Sequence, residues 1–268
     1  MSDYVVTGIP RSGTSLILSL LNSDENMMCF SEPPWIKLIR NNADNGDQLS
    51  QLLRHKISEL RRDILESHSI EMVYQKNKNT PPDNYFKREV GGIKKTRNTE
   101  WVTFDSSKAN NHFVIKANAV FTAVLPSLIK AGMWQIVPVI RDPLYVLMSW
   151  NSVPIASSKG RVAVVEKFSN DLKLIAQQKP LLKRQVLLLD WYFKQYEIFE
   201  SDDVLYYENL ISNPLVEIKK FFPEAEIHLS KLKSKNTKSR YANETEQIYK
   251  DALLQYGQEL KKYYPQYA

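Results

Sequence analysis

The chain has a single cysteine, Cys29, among its 268 residues. An intramolecular disulfide is therefore impossible, and such sparing use suits a reducing compartment. Long apolar runs are missing too. A membrane-spanning helix needs about 20 consecutive apolar residues, and the longest mostly apolar stretch, 117–129, is broken by Pro126 and by polar residues. No leader-like core is visible, because Met1-Ser2-Asp3 runs straight into a β-prone segment. These absences predict a soluble, cytoplasmic protein with no membrane span. There is no internal repeat, no low-complexity block and no arginine-rich tail. The net charge of +6 is spread along the chain. That predicts no nucleic-acid partner and fits either a mildly basic soluble protein or one that takes an anionic ligand. Histidine is scarce: His55, His68 and His228 share no metal-ligand spacing, and no metal is expected.

What is present is an ordinary globular composition, 43% hydrophobic and 25% charged, on a chain long enough to bury a sizeable core. Apolar strand patterns alternate with helical ones. Strands are predicted at 4–6, 113–116, 135–140 and 203–207. Helices are predicted at 16–21, 35–40, 48–67, 120–130, 162–178, 181–199, 208–222 and 244–263. Gly132 is placed as a helix-terminating glycine. Cys29 to Pro34 reads as an extended turn, since two prolines close it. From Lys76 to Asn111 the pattern weakens into a long irregular segment carrying Tyr85, Phe86, Trp101 and Phe104. Strands alternating with helices imply a three-layer α/β fold, a central parallel sheet flanked by helices, with ligands at the carboxyl ends of the strands.

Two stretches carry chemistry. The first is Thr7-Gly8-Ile9-Pro10-Arg11-Ser12-Gly13-Thr14-Ser15, between the first strand and the first helix. Backbone N–H groups and a helix N-terminus hold phosphate in this setting. The glycine spacing is that of a triphosphate P-loop, but Thr14 stands where the lysine belongs. The cradle is kept while the charge that meets β- and γ-phosphates is lost, and Arg11 can supply charge in its place. The second is Val139-Ile140-Arg141-Asp142-Pro143, with Ser149 on the helix that begins there. Arginine at the end of a buried strand, paired with that serine, can hold a phosphate; a helix cap beside a surface arginine is the plainer alternative.

Taken together, these stretches resemble the sulfotransferases that use 3′-phosphoadenosine 5′-phosphosulfate (PAPS). Pro10-Arg11-Ser12-Gly13-Thr14-Ser15 is similar to the family's P-K/R-x-G-T-T/S loop for the 5′-phosphosulfate. Arg141, Pro143 and Ser149 are similar to its R-x-P-x-x-x-x-x-S stretch for the 3′-phosphate. Tyr206-Tyr207-Glu208-Asn209-Leu210…Pro214 resembles its Y-E-x-L-x-x-x-P segment, which puts Tyr207 near the adenine. The resemblance implies one P-loop-NTPase-like sulfotransferase domain over 1–268, with an acceptor-side lid or insertion at about 69–111. It implies PAPS as cofactor, adenosine 3′,5′-bisphosphate as product, and a small-molecule or carbohydrate hydroxyl as acceptor.

The acceptor hydroxyl needs a general base. The family's cytosolic branch carries a histidine two residues after a strand-end lysine; here Lys116-Ala117-Asn118 occupies that place, and Asn118 cannot act as the base. A second branch, with tyrosylprotein and bacterial carbohydrate enzymes, uses a glutamate downstream of the loop arginine. Glu32 matches that position, and Asp105 and His112 are the alternatives. Glu32 can equally be an exposed turn residue. Lys116 either contacts the transferring group or simply ends a strand. A basic stretch at 231–240, including Lys238 and Arg240, either closes over the 3′-phosphate or is a solvated loop. Two other readings stand: a degenerate P-loop kinase, with Val186–Asp190 as its magnesium-binding strand, and a nucleotide-binding protein without catalysis.

Overall fold

The structure is a computed structural model, and it describes residues 2–75, 80–82, 85–89, 92–95, 97–227, 232–236 and 243–268. The chain opens with β1 (Asp3–Gly8), α1 (Thr14–Leu21), β2 (Met27–Ser31), α2 (Pro34–Asn42) and α3 (Gly46–Leu65). It continues through β3 (Ser69–Gln75), β4 (Phe86–Glu89), β5 (Gly92–Lys95) and β6 (Arg97–Thr103) to β7 (His112–Lys116), α4 (Asn118–Ala123) and α5 (Leu125–Ala131). Then come β8 (Trp134–Ile140), α6 (Pro143–Trp150), α7 (Asn170–Ala176) and α8 (Leu181–Tyr196). The last elements are β9 (Leu205–Tyr206), α9 (Tyr207–Ser212), α10 (Pro214–Phe221), α11 (Asn243–Tyr256) and α12 (Leu260–Tyr263).

Five strands form one sheet in the order β2-β7-β1-β8-β9, every pair parallel. A parallel sheet is covered on both faces, so its strands are apolar on both faces. The alternation is visible residue by residue. Val5, Phe30, Phe113 and Ile115 face one layer with α2, α3, α4, α6 and α8. Tyr4, Val6, Cys29, Val114, Val137 and Val139 face the other, where Ile17, Leu18 and Leu21 of α1 and Ile218 of α10 cover them. Each such side chain, fully buried, stabilises the fold by about 1.5–3 kcal/mol. The three-layer α/β arrangement expected from the sequence is the one that forms.

Several local expectations are corrected. Cys29 to Ser31 is not a turn but the end of edge strand β2, which pairs with β7 from Met27↔His112 to Ser31↔Lys116. The stretch expected to be irregular contains β6, which pairs antiparallel with β3, and the β4–β5 hairpin. The helix expected at 120–130 breaks at Val124 ahead of Pro126, and the one expected at 244–263 breaks around Gly257. The helix expected from 162 begins as a 3-10 turn, 163–168, before α7. Among the described residues no helix is long and apolar enough to cross a membrane.

Candidate active site

In a parallel sheet all the strands end on the same side, so the sheet order lays out the site. Along that side lie Glu32 after β2, Lys116 at the end of β7, the Ile9–Gly13 loop after β1, Arg141 after β8 and Tyr207 after β9. Together they line one cleft of about 480 Å³.

The loop is held by backbone contacts. Ile9 N–H donates to Val139 O (3.2 Å) and Ser12 N–H to Ile9 O (2.9 Å), while Trp150 Nε1 donates to Pro10 O (2.7 Å). Gly8 is packed so closely on β8 that a Cβ would lie 2.6 Å from Val139 O. Gly13 has φ +105°, and a Cβ there would lie 2.8 Å from the Tyr207 ring. Only glycine combines that φ with that space. Arg11 (φ 78°) and Glu32 (φ 46°) also hold positive φ. Left-handed backbone at non-glycine residues is costly and tends to collect at functional sites. No side chain caps α1, and Leu16 N–H turns back to Gly13 O (2.9 Å), so the N–H groups of Thr14 and Ser15 are the ones that open this helix beside the cleft.

Arg141 is 94% buried, with 6% relative exposure. Its Nη1 donates to Arg11 O (3.0 Å) and its Nε to Asn236 Oδ1 (2.8 Å), and its guanidinium lies over the Tyr207 ring at 4.6 Å. Its Nη2 is buried and has no hydrogen-bond partner among the described residues; Ser12 Oγ is in the same condition. A buried cationic donor left unpaired is costly, and an anion bound there removes the cost. Behind Arg141 stands Glu208. Its carboxylate accepts from Asp142 N–H (3.1 Å), Asn236 Nδ2 (2.9 Å) and Tyr264 Oη (3.0 Å). Tyr267 Oη donates to Asp142 Oδ1 (2.7 Å), so the C-terminal turn braces the same corner.

At the other end of the cleft, Lys116 Nζ lies 2.9 Å from Glu32 Oε1, 3.2 Å from Tyr85 Oη and 3.3 Å from Ser15 Oγ. Glu32 N–H donates to Lys116 O (2.8 Å), tying the two strand ends together. The Lys116 side chain is buried while that of Glu32 stays 37% exposed, so the carboxylate is reachable from solvent. Burial alone would push the Lys116 ammonium down. The Glu32 carboxylate and the Tyr85 hydroxyl outweigh it and raise Lys116 above the ordinary lysine value.

The predicted site residues mostly converge. Pro10, Arg11, Gly13, Thr14, Ser15, Glu32, Lys116, Arg141 and Tyr207 all line the cleft, with Ser12 buried within the loop. Ser149 Oγ accepts from Arg11 Nε (3.0 Å), which ties it to the loop arginine. Lys238, Arg240 and His228 lie outside the described residues. His112 opens β7, at the opposite end of the strand from Lys116, and its Nδ1 contacts Ser2 O. Asp105 accepts from Ser107 at a 3-10 turn. Both are removed as candidate bases. Val186–Asp190 lies inside α8, and Asp190 accepts from the N–H groups of Gln258 and Leu260. It is a backbone anchor and not a strand-end magnesium ligand. Asn236 and the apolar side chains of Ile155, Val162 and Val164 went unread in the sequence, and Trp150, next to Ser149, was given no role there.

No protein-family model matches the chain, and no curated protein matches it in sequence. Among solved structures, the chain is similar to the crystal structure of sulfotransferase STF9 from Mycobacterium avium, at 13% identity and a TM-score of 0.38, over 96% of this chain and 68% of that one. So slight a likeness does not bear on activity.

Proposed function

We propose that this cleft transfers a sulfuryl group from PAPS to a hydroxyl acceptor and releases adenosine 3′,5′-bisphosphate. The observation that carries the reading is two anion-binding features on one cleft: the Ile9–Gly13 loop opening α1, and beside it Arg141, whose buried Nη2 has no partner among the described residues. A nucleoside triphosphate puts its phosphates in one run. A nucleotide phosphorylated at both 5′ and 3′ needs two sockets with an aromatic between or beside them, and Tyr207 supplies one. The bound donor supplies a sulfuryl group already activated on a single 5′-phosphate.

The chain's own residues do the rest. Loop N–H groups and Arg11 meet the charge that develops on the leaving phosphate. Ser149 aims Arg11. Glu32 takes the acceptor's proton, and Lys116, paired directly with Glu32 at 2.9 Å, stands ready to hold a sulfonate oxygen as that proton leaves. The stretch 69–111 contributes Tyr85 and Phe86 to the cleft, which supports its role as the acceptor-side wall of a single sulfotransferase domain.

The kinase reading loses Asp190 as a metal ligand and already lacks the loop lysine. The reading without catalysis is disfavoured by a charge-paired glutamate at the cleft's acceptor end. The test is Arg141→Ala. Wild type should bind adenosine 3′,5′-bisphosphate more tightly than adenosine 5′-monophosphate in calorimetric titration, and the variant should lose that preference. Equal affinities in wild type would contradict the assignment.

A further inference from the structure

The Lys116 ammonium has three N–H donors and no acceptor, and the protein itself occupies all three. Glu32 Oε1 lies at 2.9 Å, Tyr85 Oη at 3.2 Å and Ser15 Oγ at 3.3 Å. The ammonium also stands 4.6 Å from the centre of the Tyr85 ring. With the Lys116 side chain only 2% exposed, water has little access to these bonds. A sulfonate oxygen can therefore be held only by exchange, and one of the three partners must yield.

The partners are not equivalent. Glu32 carries charge, and a charge-assisted hydrogen bond is roughly twice as strong as a neutral one. Its backbone is tied to the same strand end, since Glu32 N–H donates to Lys116 O (2.8 Å). Ser15 stands in the first turn of α1, directly after a loop fixed by Val139 O and the Trp150 indole. Tyr85 is neutral and comes from outside the central sheet. It directly precedes β4, and the β4–β5 hairpin is a two-stranded sheet of its own that pairs with no other strand among the described residues. The Tyr85 hydroxyl also lies 2.6 Å from Ser31 Oγ, a partner it retains when Lys116 turns away.

We infer that Tyr85 is a positioning residue for Lys116: its hydroxyl holds the ammonium beside Glu32, and it is the partner that a sulfonate oxygen of the donor replaces. The inference rests on the sulfuryl-transfer reading and adds to it a residue outside the three matched motifs. The exchange leaves the Lys116–Glu32 pair intact, so the base keeps its counter-charge while the lysine turns its third N–H to the donor. It also separates two nucleotides. One without the sulfonate offers nothing in place of the phenol, and Tyr85 keeps the lysine.

The test needs no acceptor. Full-length wild type and Tyr85→Phe are titrated by calorimetry with PAPS and with adenosine 3′,5′-bisphosphate, the same nucleotide without the sulfonate. Phenylalanine keeps the ring beside the ammonium and removes only the hydroxyl, so no Lys116–phenol bond has to break as the sulfonate arrives. The preference for PAPS over the bisphosphate should rise by about threefold to tenfold relative to wild type. In a Lys116→Met background, Tyr85→Phe should leave the preference unchanged, because the exchange has lost its lysine. A role in structure alone would weaken both nucleotides equally. An unchanged or reduced preference in Tyr85→Phe, or a rise that persists without Lys116, would overturn the inference and leave the sulfuryl-transfer reading standing. Failure of wild type to bind the bisphosphate would overturn both.

Discussion

At the scale of single residues, the account turns on Glu32 and Lys116. Both sit at strand ends that are hydrogen-bonded to each other, and Glu32 is held in a left-handed backbone conformation that a free turn would relax. Glu32→Gln should lower transfer by about 10²–10⁴-fold with bisphosphate affinity retained; unchanged turnover would take the base assignment away. The same pair sets the alkaline behaviour. Lys116 is raised above its ordinary value, so whatever stability its charge contributes is present throughout the pH range below that value and is lost only as pH rises past the raised one. The pH–rate profile of the wild type should therefore show no Lys116 limb below the ordinary lysine range. A falling limb near neutrality that disappears in Lys116→Met would contradict this.

At the scale of elements, the cleft depends on pieces remote in sequence. Glu208 opens α9, yet its carboxylate joins the start of α6, Asn236 and the C-terminal Tyr264. Burial, followed by the Glu208 charge, pushes the Tyr264 hydroxyl well up, so it remains a donor across the accessible pH range. Tyr264→Phe should cost about 1–2 kcal/mol in denaturant unfolding and weaken the bisphosphate more than adenosine 5′-monophosphate. Equal weakening of both would make Tyr264 a stability residue only. None of this network was legible in the sequence, because periodicity reports which face of an element is apolar and not which distant carboxylate it meets. The elements that were legible had strong local signals: the β1–loop–α1 unit, the fully apolar Val114-Ile115 and Val139-Ile140 runs, and the Asp142-Pro143 helix start, where the Asp142 side chain caps Leu144 N–H. Edge strand β2 was hidden because Pro33-Pro34 dominate its neighbourhood and the strand itself is only five residues. The β3–β6 pair was hidden because it joins segments far apart in sequence, and its polar positions read as loop. Arg11, Lys116 and Arg141 could be placed on the cleft because each follows a legible strand or motif, and Glu32 only through its resemblance-based spacing from Arg11. The contact of Ser149 with Arg11 was not legible, because spacing places it on α6 without saying which arginine it faces.

At the scale of the whole molecule, the parallel sheet is the instrument of function. Its strand order, β2-β7-β1-β8-β9, sets Glu32 and Lys116, then the Ile9–Gly13 loop, then Arg141 and Tyr207 along one cleft; on the proposed reading these are base and lysine, phosphate loop, and second anion site. Arg11, Lys116, Arg141, Lys233 and Lys235 line the cleft against one carboxylate, Glu32, so its lining is net positive, which favours an anionic ligand. The central claim is that the two sockets belong to a nucleotide phosphorylated at 5′ and 3′. Thermal denaturation of the wild-type protein with adenosine 3′,5′-bisphosphate, set against ATP with magnesium, tests it most directly. Saturation at 100 times Kd should stabilise the fold by about 2.7 kcal/mol with the bisphosphate and negligibly with ATP–magnesium; stabilisation by ATP–magnesium alone would contradict the account.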